Sequence, residues 1–82
     1  MNIAIFGAAG FIGTNLAIQL SGVPKTNLTL VDGEMGYFDT LKSLNLPNTK
    51  FVEAKFLEGT DFDQILKNQD LVFHLVSTTV PS

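Results

Sequence analysis

The sequence predicts an α/β fold: the N-terminal half of a doubly wound parallel sheet, with helices packed on its faces. Three observations carry that prediction. Four short β-rich runs, Ile3 to Phe6, Leu28 to Val31, Thr49 to Val52 and Leu71 to Val76, have the length and composition of buried strands. Segments with helical spacing of apolar residues lie between them, joined by short links. The resulting order β-α-β-α-β-α-β is the alternation of a parallel sheet, and right-handed crossovers place the strands in the order 3-2-1-4.

Each element follows from local signals. Ile3-Ala4-Ile5-Phe6 is continuously apolar and is bounded by Gly7. After it the period changes: Ile12, Leu16 and Leu20 recur every four residues with Thr14, Asn15 and Gln19 between them, which predicts a helix stopped by Gly22 and Pro24. Leu28 to Val31 is the second strand and ends at Asp32-Gly33. Between Tyr37 and Leu46 the pattern is weaker; Leu41 and Leu44 suggest a short helix ended by Pro47-Asn48. Thr49 to Val52 is the third strand. Asp61 is the expected N-cap of a helix through Phe62, Ile65 and Leu66, and Leu71 to Val76 is the fourth strand. No internal repeat or low-complexity segment interrupts this plan.

Composition narrows the function classes. Eighty-two residues, 45% hydrophobic, with seven Phe and only 16% charged residues, describe one small globular domain rather than a disordered chain. Net charge is −3, there is no Arg, and Lys25, Lys42, Lys50, Lys55 and Lys67 are scattered, so no nucleic-acid partner is expected. The chain has no Cys, no basic leader and no apolar run of membrane-spanning length. The expectation is a cytoplasmic chain without a membrane partner.

The segment between the first strand and the first helix carries the chemistry. Gly7, Gly10 and Gly13 stand three residues apart, after a strand and into a helix, which is the context of a pyrophosphate-binding turn. Gly7 permits the sharp turn. Gly10, lacking a Cβ, lets a phosphate approach the main chain, and Gly13 lets the helix pack closely on the first strand. The open N–H groups of Phe11 and Ile12, with the positive end of the helix dipole, face the anion. Asp32 lies nineteen residues after Gly13, at the end of the second strand, where a carboxylate accepts hydrogen bonds from the adenosine ribose hydroxyls and repels a 2′-phosphate. The cofactor expected is therefore NAD rather than NADP.

These stretches resemble the short-chain dehydrogenase/reductase superfamily. "GAAGFIG" has its Gly-x-x-Gly-x-x-Gly spacing, and the "GFIG" ending is similar to the extended branch of NAD-dependent sugar-nucleotide epimerases and dehydratases, which includes UDP-glucose 4-epimerase. "TLVDG" resembles the family's second strand with its ribose-binding Asp and the Gly33 that follows. "FVEAKFLEGTDFDQIL" stands in the place of its third strand and next helix, and "QDLVFHLVSTTVPS" in that of its fourth strand. The resemblance implies a Rossmann-type fold and a cofactor site of Gly7, Gly10, Phe11, Ile12, Gly13, Asp32, Gly33, Lys55, Phe56, Leu75, Val76 and Ser77. Two departures stand out. Ala54-Lys55-Phe56 replaces the family's Gly-Asp-Ile/Leu; an ammonium is donor-only, so Lys55 cannot accept the adenine amino group, which leaves that contact to the Phe56 main chain. Leu75-Val76-Ser77 replaces small Ala residues, and Val76 is bulkier where the backbone approaches the cofactor.

No catalytic residue is expected in this chain. The family's proton transfer resides in a Tyr-x-x-x-Lys pair, whereas here the only Tyr is Tyr37 and Leu41 stands four residues later. His74, within an apolar strand, reads as a hydrogen-bonded core residue. Glu53, Glu58 and Asp63 have no second His with which to build a metal site, and Asp61, Asp63 and Asp70 read as helix-start and strand-start residues. Ser77, Thr78 and Thr79 follow the fourth strand, at the sheet edge where ligands bind. The expectation is an NAD-binding N-terminal segment, residues 1–82, of a longer nucleotide-sugar epimerase or dehydratase, inactive alone because the substrate domain lies beyond it. The alternative is a non-catalytic dinucleotide-binding or redox-sensing module. An apolar fourth strand left at the edge of half a sheet invites self-association.

Overall fold

A computed structural model of the chain describes residues 1–54 and 62–75. Four strands, β1 (Asn2–Phe6), β2 (Asn27–Asp32), β3 (Thr49–Glu53) and β4 (Leu71–His74), form one parallel sheet in the order β3-β2-β1-β4. The sheet order is the one that right-handed crossovers predict. In register, Ile5 stands between Leu30 on β2 and Phe73 on β4, and Leu30 stands opposite Phe51 on β3.

Alternation along the strands feeds two cores. Ile3, Ile5, Leu28 and Leu30 pack with Ala17 of α1 (Phe11–Ser21) and Leu41 of α2 (Asp39–Ser43) on one face. Ala4, Phe6 and Val31 pack on the other with Val52, Ala54, Phe62 and Ile65, the last in α3 (Asp63–Leu66). Helices therefore cover both faces, α1 and α2 on one and α3 on the other. That change of side follows from reversing the direction of travel across the sheet between β3 and β4 under a fixed crossover hand. The reversal creates a topological switch point at the carboxyl ends of β1 and β4, where ligands bind in open α/β sheets.

Several local details differ from the expectations. On α1 the buried positions are Gly13 and Ala17, with Leu16 and Leu20 partly buried, while Ile12 is 67% exposed. Small residues form the contact because the helix lies too close for larger ones. The weak Tyr37–Leu46 pattern resolves into a 3-10 turn, Met35–Phe38, running into α2, with Phe38 and Leu41 buried and Leu44 exposed. That helix ends at Ser43, ahead of Pro47-Asn48, and Asn45 takes a left-handed conformation (φ 52°) just beyond it. The N-cap position of α3 is Phe62, whose side chain makes no cap hydrogen bond; Asp61, the expected cap, lies outside the described residues. The fourth strand ends at His74. No helix among the described residues is long and apolar enough to cross a membrane.

Candidate functional site

The turn between β1 and α1 is fastened to β2 by its backbone. Gly7 N–H (2.8 Å) and Ala8 N–H (3.2 Å) both donate to the Val31 carbonyl, and Gly10 N–H donates to the Gly7 carbonyl (3.2 Å). Gly7 has φ 84°, a left-handed conformation for which glycine is suited, so its expected role in the sharp turn is met.

Gly13 explains why the helix start can sit where it does. A Cβ there would meet Gly7 O at 2.5 Å and Ala8 Cα at 2.7 Å, both main-chain atoms that cannot swing aside. The close approach is to the turn after β1 rather than to the strand itself. Gly10 is different: it is extended (φ −73°, ψ 174°), and an added Cβ would meet only Gly7 O, at 3.4 Å. Its missing side chain is dispensable for the fold and keeps the main chain open at the helix start.

Helix α1 begins with donors pointing outward. The N–H of Thr14 closes the first helical turn on the Gly10 carbonyl (2.8 Å), so those of Phe11, Ile12 and Gly13 precede it and lie at the positive end of the helix dipole. The Thr14 hydroxyl donates to the Ala8 carbonyl (3.2 Å), bracing the helix against the turn. The Phe11 side chain is 85% exposed and that of Ile12 projects likewise, so at both positions the main chain is the part directed to the turn.

Asp32 joins this turn to the end of β2. Its Oδ2 accepts the Ala9 N–H at 2.9 Å and its Oδ1 accepts the Gly33 N–H at 2.7 Å. The Asp32 carbonyl takes the Ala54 N–H (2.9 Å), which fixes its backbone between β1 and β3. The Ala9 contact was not legible in the sequence, since Ala9 carries no functional side chain and only its amide takes part.

Beside the turn is a cleft of about 300 Å³ lined by Ala9, Gly10, Phe11, Thr14, Asn15, Tyr37, Thr40 and Leu41. Tyr37 and Thr40 were not anticipated there; they reach the cleft because the 3-10 turn and α2 bring them beside the start of α1. A larger open hollow of about 510 Å³ lies against Asp63, Gln64, Leu66 and Lys67. It lies against α3, which has only four residues, so it lacks the helix-start donors that the smaller cleft adjoins.

Of the residues expected at the site, Gly7, Gly10, Phe11, Ile12, Gly13, Asp32 and Gly33 are brought together. Leu75 joins them from just beyond β4, its N–H donating to the Phe6 carbonyl (2.8 Å) at the switch point. Lys55, Phe56, Val76 and Ser77 lie outside the described residues, as do Thr78 and Thr79. His74 is not the core residue expected: it is exposed on the sheet-edge strand and stacks over the Phe6 ring (centroids 5.8 Å, 11° between planes). An apolar run at a sheet edge need not be covered, which periodicity does not reveal. Among the described residues no cluster of three His, Asp or Glu could hold a metal.

Residues 3–81 match the family model described as NAD dependent epimerase/dehydratase family. The chain is 34% identical over 86 aligned positions to an uncharacterized UDP-glucose epimerase of Bacillus subtilis, covering 94% of this chain and 26% of that protein. It is 31% identical to a dTDP-D-glucose 4,6-dehydratase of Dictyostelium discoideum, covering 94% of this chain and 19% of the relative. Among solved structures it resembles the UDP-glucuronic acid 4-epimerase of Bacillus cereus, crystallised with UDP-glucuronic acid and NAD, with a TM-score of 0.79 and 29% identity over 98% of this chain and 27% of that one. The chain thus spans about a quarter or less of the length of the curated relatives it matches.

Proposed function

The chain belongs to the NAD-dependent epimerase/dehydratase family, and from that premise we propose that it binds NAD as the cofactor-holding segment of an enzyme acting on a nucleotide sugar. The observation that carries this reading is the Ala9–Asp32 contact, which sets a carboxylate on the rim of a turn that leads into the helix-start amides of Phe11 and Ile12. The residues fit the group. Gly10 leaves the main chain open to the pyrophosphate, and the amides of Phe11 and Ile12 supply donors to it. Two lone-pair positions remain on the Asp32 carboxylate for a ribose diol, since each oxygen has about two acceptor sites and one is used. Gly33 and Leu75 border the same rim, and by the resemblance Lys55, Phe56, Val76 and Ser77, which lie outside the described residues, belong to the same proposed site.

When bound, NAD supplies a hydride acceptor for the sugar. The protein's part here is to hold and orient: glycine main chain at the pyrophosphate, Asp32 at the adenosine ribose. The charge of Asp32 disfavours a 2′-phosphate, and among the described residues none that lines the adjoining cleft is cationic. Epimerisation of a UDP-sugar in the manner of UDP-glucose 4-epimerase is the reaction proposed for the whole enzyme. The relatives named above, two epimerases and a dehydratase, support that class. The 82 residues contain no Tyr-x-x-x-Lys, so this segment is proposed to bind without turnover. Self-association through the exposed β4 edge belongs to the same proposal.

Calorimetric titration with NAD, NADH and NADP tests the reading. NAD should bind, NADP at least about tenfold more weakly, and Gly10→Val should weaken NAD by a similar factor while leaving the fold intact. Absence of heat with the wild-type chain at millimolar NAD would remove the proposal.

A further inference from the structure

The amides of the glycine turn are satisfied in two ways. Those of Gly7, Ala8 and Gly10 donate to main-chain carbonyls, to Val31 or to Gly7. The amide of Ala9 donates to a side chain, the Asp32 carboxylate, in a half-buried contact at 2.9 Å between residues twenty-three positions apart. That carboxylate rides on a backbone held against β3, for the Asp32 carbonyl is bonded to Ala54, and the Gly33 amide holds the carboxylate itself through Oδ1. The orientation of the Ala9 peptide in turn sets Gly10, the N-cap of α1, and so the direction of the amides that follow.

We propose that Asp32 is a positioning residue for the glycine turn as well as an acceptor for the ribose, so that the ribose and pyrophosphate halves of the site are mechanically coupled through Ala9. The proposal rests on the NAD-binding reading above and deepens it. A carboxylate that served only the ribose would gain nothing from facing the turn, and its negative charge beside an anion site is electrostatically unfavourable. Its two free lone-pair positions can engage the diol while Oδ2 keeps the Ala9 amide of the turn and Oδ1 the Gly33 amide. Filling the ribose subsite then steadies the acceptor on which the Ala9 peptide hangs, and the pyrophosphate meets a turn already in position.

The two roles predict opposite signs for a ligand that lacks a ribose. If Asp32 reads only the ribose, Asp32→Ala leaves the affinity for inorganic pyrophosphate unchanged or tightens it, because a negative charge has gone. If Asp32 positions the turn, the same variant weakens pyrophosphate by about fivefold or more despite the lost charge. Titration of the chain with inorganic pyrophosphate, followed by the amide shifts of Gly10, Phe11 and Ile12, reads this directly. Amide exchange gives the independent readout: Ala9 should be protected in the wild type and exchange about tenfold or more faster in Asp32→Ala, while Ile5 and Leu30 keep their protection and report the intact fold. Asp32→Asn, which keeps one acceptor oxygen, serves if the alanine variant fails to fold, and the same weakening, smaller in size, is expected. Unchanged or tighter pyrophosphate binding overturns the coupling, and unchanged Ala9 exchange overturns the contact itself. A wild-type chain that responds to neither NAD nor pyrophosphate overturns the coupling together with the proposed function, while Ala9 exchange still decides whether the contact exists.

Discussion

In the strand–helix–strand unit from β1 through α1 to β2, Ile3, Ala4, Ile5 and Phe6 are all buried, as are Leu28, Leu30 and Val31. In the unit from β3 through α3 to β4, no residue of either strand is fully buried, and Leu71 and Val72 are 43% and 39% exposed. Both units are parallel and both cross over through a helix, but the first helix has eleven residues and the second four. Parallel strands are stable when both faces are covered. Strands β1 and β2 meet that condition because Gly13 lets a full-length α1 settle on one face while Phe62 and Ile65 cover the other. The proposed NAD-binding groups Gly7 to Gly13 and Asp32 all belong to that closed unit, and rigid backbone is what a phosphate turn needs. The difference teaches that one strand–helix–strand unit can place the proposed anion donors and ribose acceptor, while the second contributes the cover of its other face and an edge.

The largest test of that difference is truncation of a core leucine in each unit. Leu30→Ala in β2 should lower stability by about 3 kcal/mol, the usual size for a fully buried leucine, whereas Leu71→Ala in β4 should cost less than about 1 kcal/mol. Urea unfolding of both variants measures it. Equal losses would mean that the two units are equally closed and the comparison is wrong.

Gly13 sharpens the same contrast inside the closed unit. Gly13→Ala forces a methyl into the Gly7 carbonyl and the Ala8 backbone and should cost about 2 kcal/mol, while Gly10→Ala should stay within about 0.5 kcal/mol. Three glycines that look equivalent in the sequence thus separate into a turn, an open approach and a packing contact. If both variants unfold at the same urea concentration, the close approach of α1 is not what closes the unit.

Much of this was legible in the sequence, and the reasons for the gaps are physical. The strand order and the pairing of the glycine turn with Asp32 follow from alternation and spacing, which report directly on backbone path. The buried face of α1 was misread because Gly13 and Ala17, the residues closest to the sheet, carry little hydrophobic signal, while Ile12, which carries much, points outward. The Ala9–Asp32 bond was invisible because a main-chain amide has no sequence letter. The exposure of His74 could not be read from an apolar run, since the run records what a strand offers and not whether anything covers it.

Hydrogen exchange gives the next, smaller effect. Amides of β1 bonded to β2 should exchange more slowly than amides of β4 bonded to β1 by a factor of about ten to a hundred, since the second set opens without disturbing the α1 face. Phe62 is the one ring of the described α3 side that braces β1, meeting Phe6 edge-on at 5.3 Å. Phe62→Ala should widen the gap by speeding the β4 amides while leaving those of Ile3 and Ile5, which face β2, nearly unchanged. Equal acceleration on both sides would show one cooperative unit instead of two.

The smallest effect on stability, and the most specific to the open unit, is expected at Val72. It pairs in register with Ala4 yet remains 39% exposed, on a strand that has β1 on one side and, among the described residues, no strand on the other. Such an edge presents unpaired N–H and C=O groups beside apolar side chains, which favours docking of a second copy of the chain. A lysine there keeps the backbone groups but places a charge where a second strand would pack. Val72→Lys should therefore change the urea midpoint by no more than about 0.5 kcal/mol in stability while shifting a concentration-dependent dimer toward monomer. Sedimentation velocity across a hundredfold range of concentration, about 1 to 100 μM, reads both species. NAD affinity should be unchanged in the variant, because the glycine turn and Asp32 belong to the β1–α1–β2 unit. A wild-type chain that stays monomeric throughout that range would show that the exposed β4 edge is tolerated without a partner.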